Sequence, residues 1–179
     1  TQYIDTGFTP NQDSRIQLDV LIPSLSTGAC SFGGSHNGAW SPGFAVYGGK
    51  TTYKMSSVYN NSNVTASSSF IFQSNNRYIL DLNKNEYTVY KNSVEAYSYS
   101  HPTNDFQLTK SIELFRLNID TPRYGKFRLY SALISDDGVL VRNLIPVRVG
   151  TTGYMYDKVS GQLFGNQGTG NFILGADKN

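Results

Sequence analysis

Between Arg15 and Ile22 every second residue is apolar, so Ile16, Leu18, Val20 and Ile22 share one face while Gln17, Asp19 and Leu21 share the other. A period of two is the signature of a strand with one face on a core, and Pro23 then ends its ladder. The same alternation recurs at Arg77–Leu82, where Tyr78, Leu80 and Leu82 oppose Ile79 and Asp81. Asn83-Lys84-Asn85 turns that strand into Tyr87–Tyr90, and Lys91-Asn92 turns again into Val94–Tyr99, which predicts a meander. Shorter pulses at Tyr3–Gly7, Phe44–Tyr47 and Tyr53–Met55 read as further strands. Ile112–Asn118 is expected as one strand, with Ile112, Leu114 and Arg116 on one face and Glu113, Phe115 and Leu117 on the other. Phe127–Ile134 is apolar on both faces, as in a central strand, and Asp136-Asp137-Gly138 turns it into Val139–Val141 and Leu144–Val147.

Ser24–Gly49 is rich in loop residues, and Asn60–Ser69 is polar and turn-like. Two Asn-x-Ser/Thr sequons there, at Asn60 and Asn63, are expected by chance in so Asn- and Ser-rich a chain. No composition shift marks a linker and no repeat is present. The 179 residues are therefore expected to form one all-β domain, a two-sheet antiparallel β-sandwich, cut from a longer protein.

Composition narrows the function. Charged residues are 16% of the chain, and Tyr (13) and Phe (10) are abundant. The net charge of +2 is scattered rather than gathered into a basic stripe, which argues against a nucleic-acid partner. No apolar run approaches the ~20 residues of a spanning helix, so no membrane partner is expected. The single cysteine, Cys30, excludes an internal disulfide.

At this point particular motifs become informative. Leu129 to Arg148, with its Leu140-Val-Arg-Asn-Leu-Ile-Pro146, resembles the penultimate strands of laminin-G-like, concanavalin A-like jelly-roll domains. Their closing segment is matched by Gly153-Tyr-Met-Tyr-Asp157 and by Phe164-Gly-Asn-Gln-Gly-Thr-Gly-Asn-Phe172, and their first strand by Tyr3–Gly7. The likeness covers both ends and the second half of the chain well, and Ser24–Ser69 poorly. It is nearest to the versions in gut-bacterial surface proteins and phage tail proteins. The resemblance implies a jelly roll, often glycan-binding, placed extracellularly on a bacterial surface or phage virion among neighbouring domains. It also implies that Tyr154, Tyr156 and Asp157 serve the fold, the carboxylate capping a turn.

Some proteins of this fold are glycoside hydrolases whose carboxylates lie two or four residues apart on one strand. No two acids of this chain have that spacing, so a non-enzymatic module is expected, an atypical hydrolase being the alternative. A structural domain making only protein contacts is the other alternative. His36 and His101 with Cys30 fall short of a zinc site, and no cofactor is expected. Calcium, if bound, would fall to Asp136 and Asp137, although two acids supply few of the six to eight oxygens it needs.

Sugars stack their C–H faces on aromatic rings and pair their hydroxyls with amides and charged groups. The glycan or polysaccharide is therefore expected around Trp40, with His36, Asn37, Tyr47, Tyr53, Tyr59 and Arg77 as further ligand-binding candidates.

Overall fold

The computed structural model describes residues 1–23, 30–38, 42–48, 55–60, 62–65, 70–102 and 104–176. Among them there is no helix, and the strands in chain order are β1 (Ile4–Asp5), β2 (Ser14–Ile22), β3 (Cys30–His36), β4 (Gly43–Gly48), β5 (Met55–Asn60), β6 (Ser62–Thr65), β7 (Asn76–Leu82) and β8 (Glu86–Lys91). There follow β9 (Val94–Ser100), β10 (Glu113–Leu114), β11 (Arg116–Asn118), β12 (Arg123–Tyr124), β13 (Arg128–Asp136), β14 (Val139–Val149), β15 (Thr152–Asp157) and β16 (Leu163–Phe164). They form two packed sheets. The first runs β1-β10-β3-β4-β5-β6, with β11 and β12 beside β3, and the second runs β16-β15-β14-β13-β2-β7-β8-β9. The protein is an all-β sandwich.

The alternation of β2 is realised in full: Ile16, Leu18 and Val20 are completely buried, and Ile22 nearly so. Each such side chain contributes roughly 2 kcal/mol of hydrophobic stabilisation. From the facing sheet Phe32, Phe44, Val46, Tyr59 and Leu114 meet them in one continuous core. The second sheet's outer face carries the opposite set, Arg15, Gln17 and Asp19 of β2 and Arg77 and Asp81 of β7, because β2 and β7 pair Gln17 with Asp81 and Asp19 with Ile79.

Two sequence expectations change. Residues 112–118 are two strands, not one, because the chain breaks at Phe115, whose φ is +67°. That left-handed conformation is costly for a bulky residue. It is held by the Phe115 ring, which stacks on Phe127 at 4.4 Å between centroids, and by Phe115 N donating to the Phe32 carbonyl at 3.2 Å. The break lets β11 lie parallel to β3 and cover a small second core of Ala45, Tyr47, Val58, Leu117 and Ile119 on the first sheet's outer face. Conversely, Val139–Val149 is one strand through Pro146. The β13 ladder on β14 ends at Leu144, so the absent N–H of Pro146 removes no rung.

The glycine-rich closing segment closes the sandwich directly. Thr169 N donates to the Thr1 carbonyl at 2.8 Å, Gln167 N to the Tyr3 carbonyl at 3.0 Å, and Tyr3 N to Asn166 Oδ1 at 3.1 Å. A Cβ on Gly168 would stand 1.8 Å from the Thr1 carbonyl oxygen, far inside non-bonded contact distance. Gly168→Ala is therefore expected to detach this clasp at a cost of about 1–3 kcal/mol. Faster hydrogen exchange at the Thr169 and Gln167 amides, with core amides unchanged, is the readout; unchanged exchange at both would refute it.

Candidate functional site

One end of the sandwich is organised around the turn 10–13. Its carbonyls receive Leu108 N (at Pro10, 3.2 Å), the Tyr59 hydroxyl (at Gln12) and Asp137 N (at Asp13, 3.2 Å). Asn11 bridges Gln107, and Lys84 Nζ lies 2.7 Å from Asp13 Oδ1. The hairpin turns 83–85 and 136–138 and the strand end at His36 thus converge on the same end.

Beside that hub, in the outer face of the second sheet, lies a depression of about 440 Å³. Its walls are the two hairpin turns and its floor the ends of β2, β7 and β8. Asp81 is 3% exposed and receives the Arg15 guanidinium in a two-pronged pair, Nε to Oδ1 at 2.8 Å, with Gln17 Nε2 adding a bond at 3.1 Å. That hydrogen bonding, more than the charge attraction, holds Arg15 firmly protonated. Asn83 Oδ1 accepts from Asn85 N at 2.9 Å and Glu86 N at 3.2 Å, so an Asx turn sets the angle of one wall. On β8, Glu86, Thr88 and Tyr90 alternate with core-facing Tyr87 and Val89 and therefore point to the same outer face. Glu86 and the half-buried Tyr90 line the depression. Thr88, opposite Asp81, is 2% exposed and its hydroxyl has no hydrogen-bond partner.

Behind this wall the ring of Tyr59 stacks on His101 at 4.8 Å. His101 Nε2 meets the Asn83 carbonyl at 3.2 Å, and its backbone N donates to Asn85, which ties the ring to the wall turn. Burial lowers the His101 pKa despite those bonds, leaving the ring neutral near pH 7. Burial, reinforced by Asp13 and Asp105, pushes Tyr59 up to about 12.

Most of the sequence candidates are not gathered here. His36 is fully buried on the first sheet's outer face, where a Cβ on Gly43 would touch its ring. Tyr47 is 7% exposed in the small second core, at the far end of β4. Tyr59 is fully buried in the main core. These three therefore present no ring face to a ligand: each sits on a strand whose two faces are both covered. Asn37 lies at the depression's end, but its side chain is spent on structure, Oδ1 accepting from Thr109 N at 2.9 Å and Thr109 Oγ1 at 2.8 Å. Arg77 is on the correct outer face yet at the opposite end of β7, its Nε 2.6 Å from Asp19 Oδ1 and its guanidinium 4.1 Å over the Tyr130 ring. Trp40 and Tyr53 lie outside the described residues.

Asp136 accepts from Ser14 Oγ at 3.2 Å, and Asp137 continues the turn at φ +46°. Among the described residues no three His, Cys, Asp or Glu side chains come together to hold a metal ion. The residues that sequence reasoning missed are Arg15, Asp81, Glu86 and Tyr90. Their outward alternation was visible, but not the pairing that joins Arg15 to Asp81 across 66 positions.

No family model and no curated protein matches the sequence. Among solved structures, the chain is similar to a "putative carbohydrate binding protein" from Bacteroides ovatus, with a TM-score of 0.66 over 98% of this chain at 11% identity. The chain spans 58% of that protein's length. At this identity the likeness establishes a shared β-sandwich fold.

Proposed function

We propose that the protein is a non-catalytic carbohydrate-binding module of the concanavalin A-like jelly-roll type, working within a bacterial cell-surface or phage tail protein. The observation that carries this reading is the depression on the second sheet's outer face. It pairs one aromatic ring, Tyr90, with amides (Asn83, Asn85) and side chains prepaid for hydroxyl recognition by their own ion pairs (Arg15, Asp81). The structural likeness to the Bacteroides ovatus protein supports the same class. The non-catalytic part is supported by where the acid chemistry sits. Glu113, a carboxyl raised to about 7 chiefly by burial, is on the other sheet and held by Arg116 at 2.8 Å, while Asp81 is locked by Arg15.

A glycan array followed by calorimetric titration tests the reading. Tyr90→Ala is expected to weaken the best glycan about three- to tenfold, the usual worth of one stacked ring. An array without hits, combined with self-association in solution, would favour the assembly-domain alternative. Release of reducing sugar would favour a hydrolase.

A further inference from the structure

We infer that the ligand is an extended, uncharged β-1,4-linked polysaccharide, laid across the strands of the second sheet's outer face from Tyr90 to Tyr156; this rests on the carbohydrate-binding reading above and names its substrate class. Tyr90 lies opposite Ile79, Ile79 opposite Asp19, and Asp19 opposite Ser131, so β8, β7, β2 and β13 contribute to one cross-strand row. Ile145, one step past the Ala132–Leu144 rung, continues the row on β14 and pairs with Tyr156 on β15. All six side chains face away from the core, because each adjoins a buried residue on its own strand: Val89, Leu80, Val20, Ala132, Leu144 and Met155. None of the six is sealed from solvent.

The chemistry changes in order along the row. A ring stands at each end: Tyr90 at the depression, and Tyr156 five strand steps away, about 24 Å at roughly 4.8 Å per step. Ile79 and Ile145 lie inside the two rings as apolar contacts. At the middle Asp19 holds the half-exposed Arg77 guanidinium, Nε to Oδ1 at 2.6 Å. That guanidinium lies 4.1 Å over the ring of Tyr130, the extra residue that a bulge in β13 sets against Asp19. Asp19 is the row's one charged side chain and it is paired, so the row is neutral and suits hydroxyls better than ionised sugars. The strand spacing is close to the rise per sugar of an extended β-1,4-linked chain, whose flat C–H faces suit the rings. One sugar per strand sets the first on Tyr90 and the sixth on Tyr156. An α-1,4-linked chain winds into a helix and leaves the row.

Titration calorimetry compares β-1,4-linked gluco-, manno- and xylo-oligosaccharides of two to six units with maltohexaose. Affinity for the best β-linked series is expected to rise with length and level off near six units, its hexaose binding roughly tenfold tighter than its disaccharide and than maltohexaose. Tyr156→Ala should weaken that hexaose about three- to tenfold and move the plateau to shorter chains, which a general loss of stability would not do. Should Tyr156→Ala not fold, Arg77→Gln, at an exposed position, is expected to weaken the hexaose about fivefold, the worth of one hydrogen bond. Affinity flat from two units upward, weakened by Tyr90→Ala but not by Tyr156→Ala or Arg77→Gln, would overturn the row and leave the depression as a carbohydrate site. Equal binding of maltohexaose would overturn the β-linked class. No binding of any glycan on a broad array would overturn both this inference and the reading beneath it.

Discussion

Replacing Asp157 by Ala is expected to destabilise the protein by about 3–5 kcal/mol, the usual cost of removing a buried, hydrogen-bonded charge. At this chain length that is a fall in melting temperature on the order of 10 °C. Asp157 is completely buried, and its carboxylate accepts from Asn143 N at 2.8 Å, Val159 N at 3.1 Å and Ser160 Oγ at 2.8 Å, with Arg142 Nη1 at 3.8 Å. Burial alone would raise its pKa. The bonds from Asn143, Ser160 and Val159, with the Arg142 charge, outweigh burial and the net shift is downward. One side chain thus ties the turn after β15 to the middle of β14. Without it, two backbone donors are left in a site that water reaches poorly. Asp157→Asn keeps one acceptor oxygen and should lose roughly half as much. Thermal unfolding followed by circular dichroism decides; a shift below about 2 °C for Asp157→Ala would show that the carboxylate is incidental.

The second large effect is a pH dependence. Glu113 holds its proton up to about 7, against an ordinary 4.5, because burial outweighs the attraction of Arg116 and Lys110 and because Asp5 lies across the strand pair. Between those values the folded state keeps a proton that the unfolded chain releases. Stability is therefore greatest below about pH 4.5 in this respect and falls as pH rises through about 7, by on the order of 2–3 kcal/mol. His101 has the opposite sign: its lowered folded pKa means that stability is lost as pH falls below about 6.5. Chemical denaturation at several pH values should show the parent losing, relative to Glu113→Gln, its Glu113 stabilisation between about pH 4.5 and 7 and no more above that, the variant keeping only the rise due to His101. The same downward slope in the variant would assign it to other groups.

The fold was largely legible because its signals are local. The period-two run of β2, the Asn83–Asn85 and Asp136–Gly138 turns and the Tyr-Asp unit each act over a few residues, and the structure places each as its chemistry dictates. Phe115 was not legible, since a left-handed Phe is imposed by a ring stack on Phe127 and no local residue type announces it. The site was less legible still. His36, Tyr47 and Tyr59 looked available because they flank a loop-rich stretch. Whether a strand residue meets solvent depends, however, on what covers its face, and β11, His101 and Phe106 do so from far along the chain. The residues of the depression come from β2, β7, β8 and two turns, so only sheet pairing reveals them as neighbours.

The clasp between residues 1–3 and 166–170 has a geometric consequence for any larger assembly. β13 starts beside the Phe115–Phe127–Phe172 cluster and ends at Asp136 on the depression's rim. The two clasped segments therefore leave the sandwich together at the pole away from the depression. Whatever is attached to either segment therefore stands on the far side of the sandwich from the depression, and both segments must give way together if one is pulled, because each is hydrogen-bonded to the other.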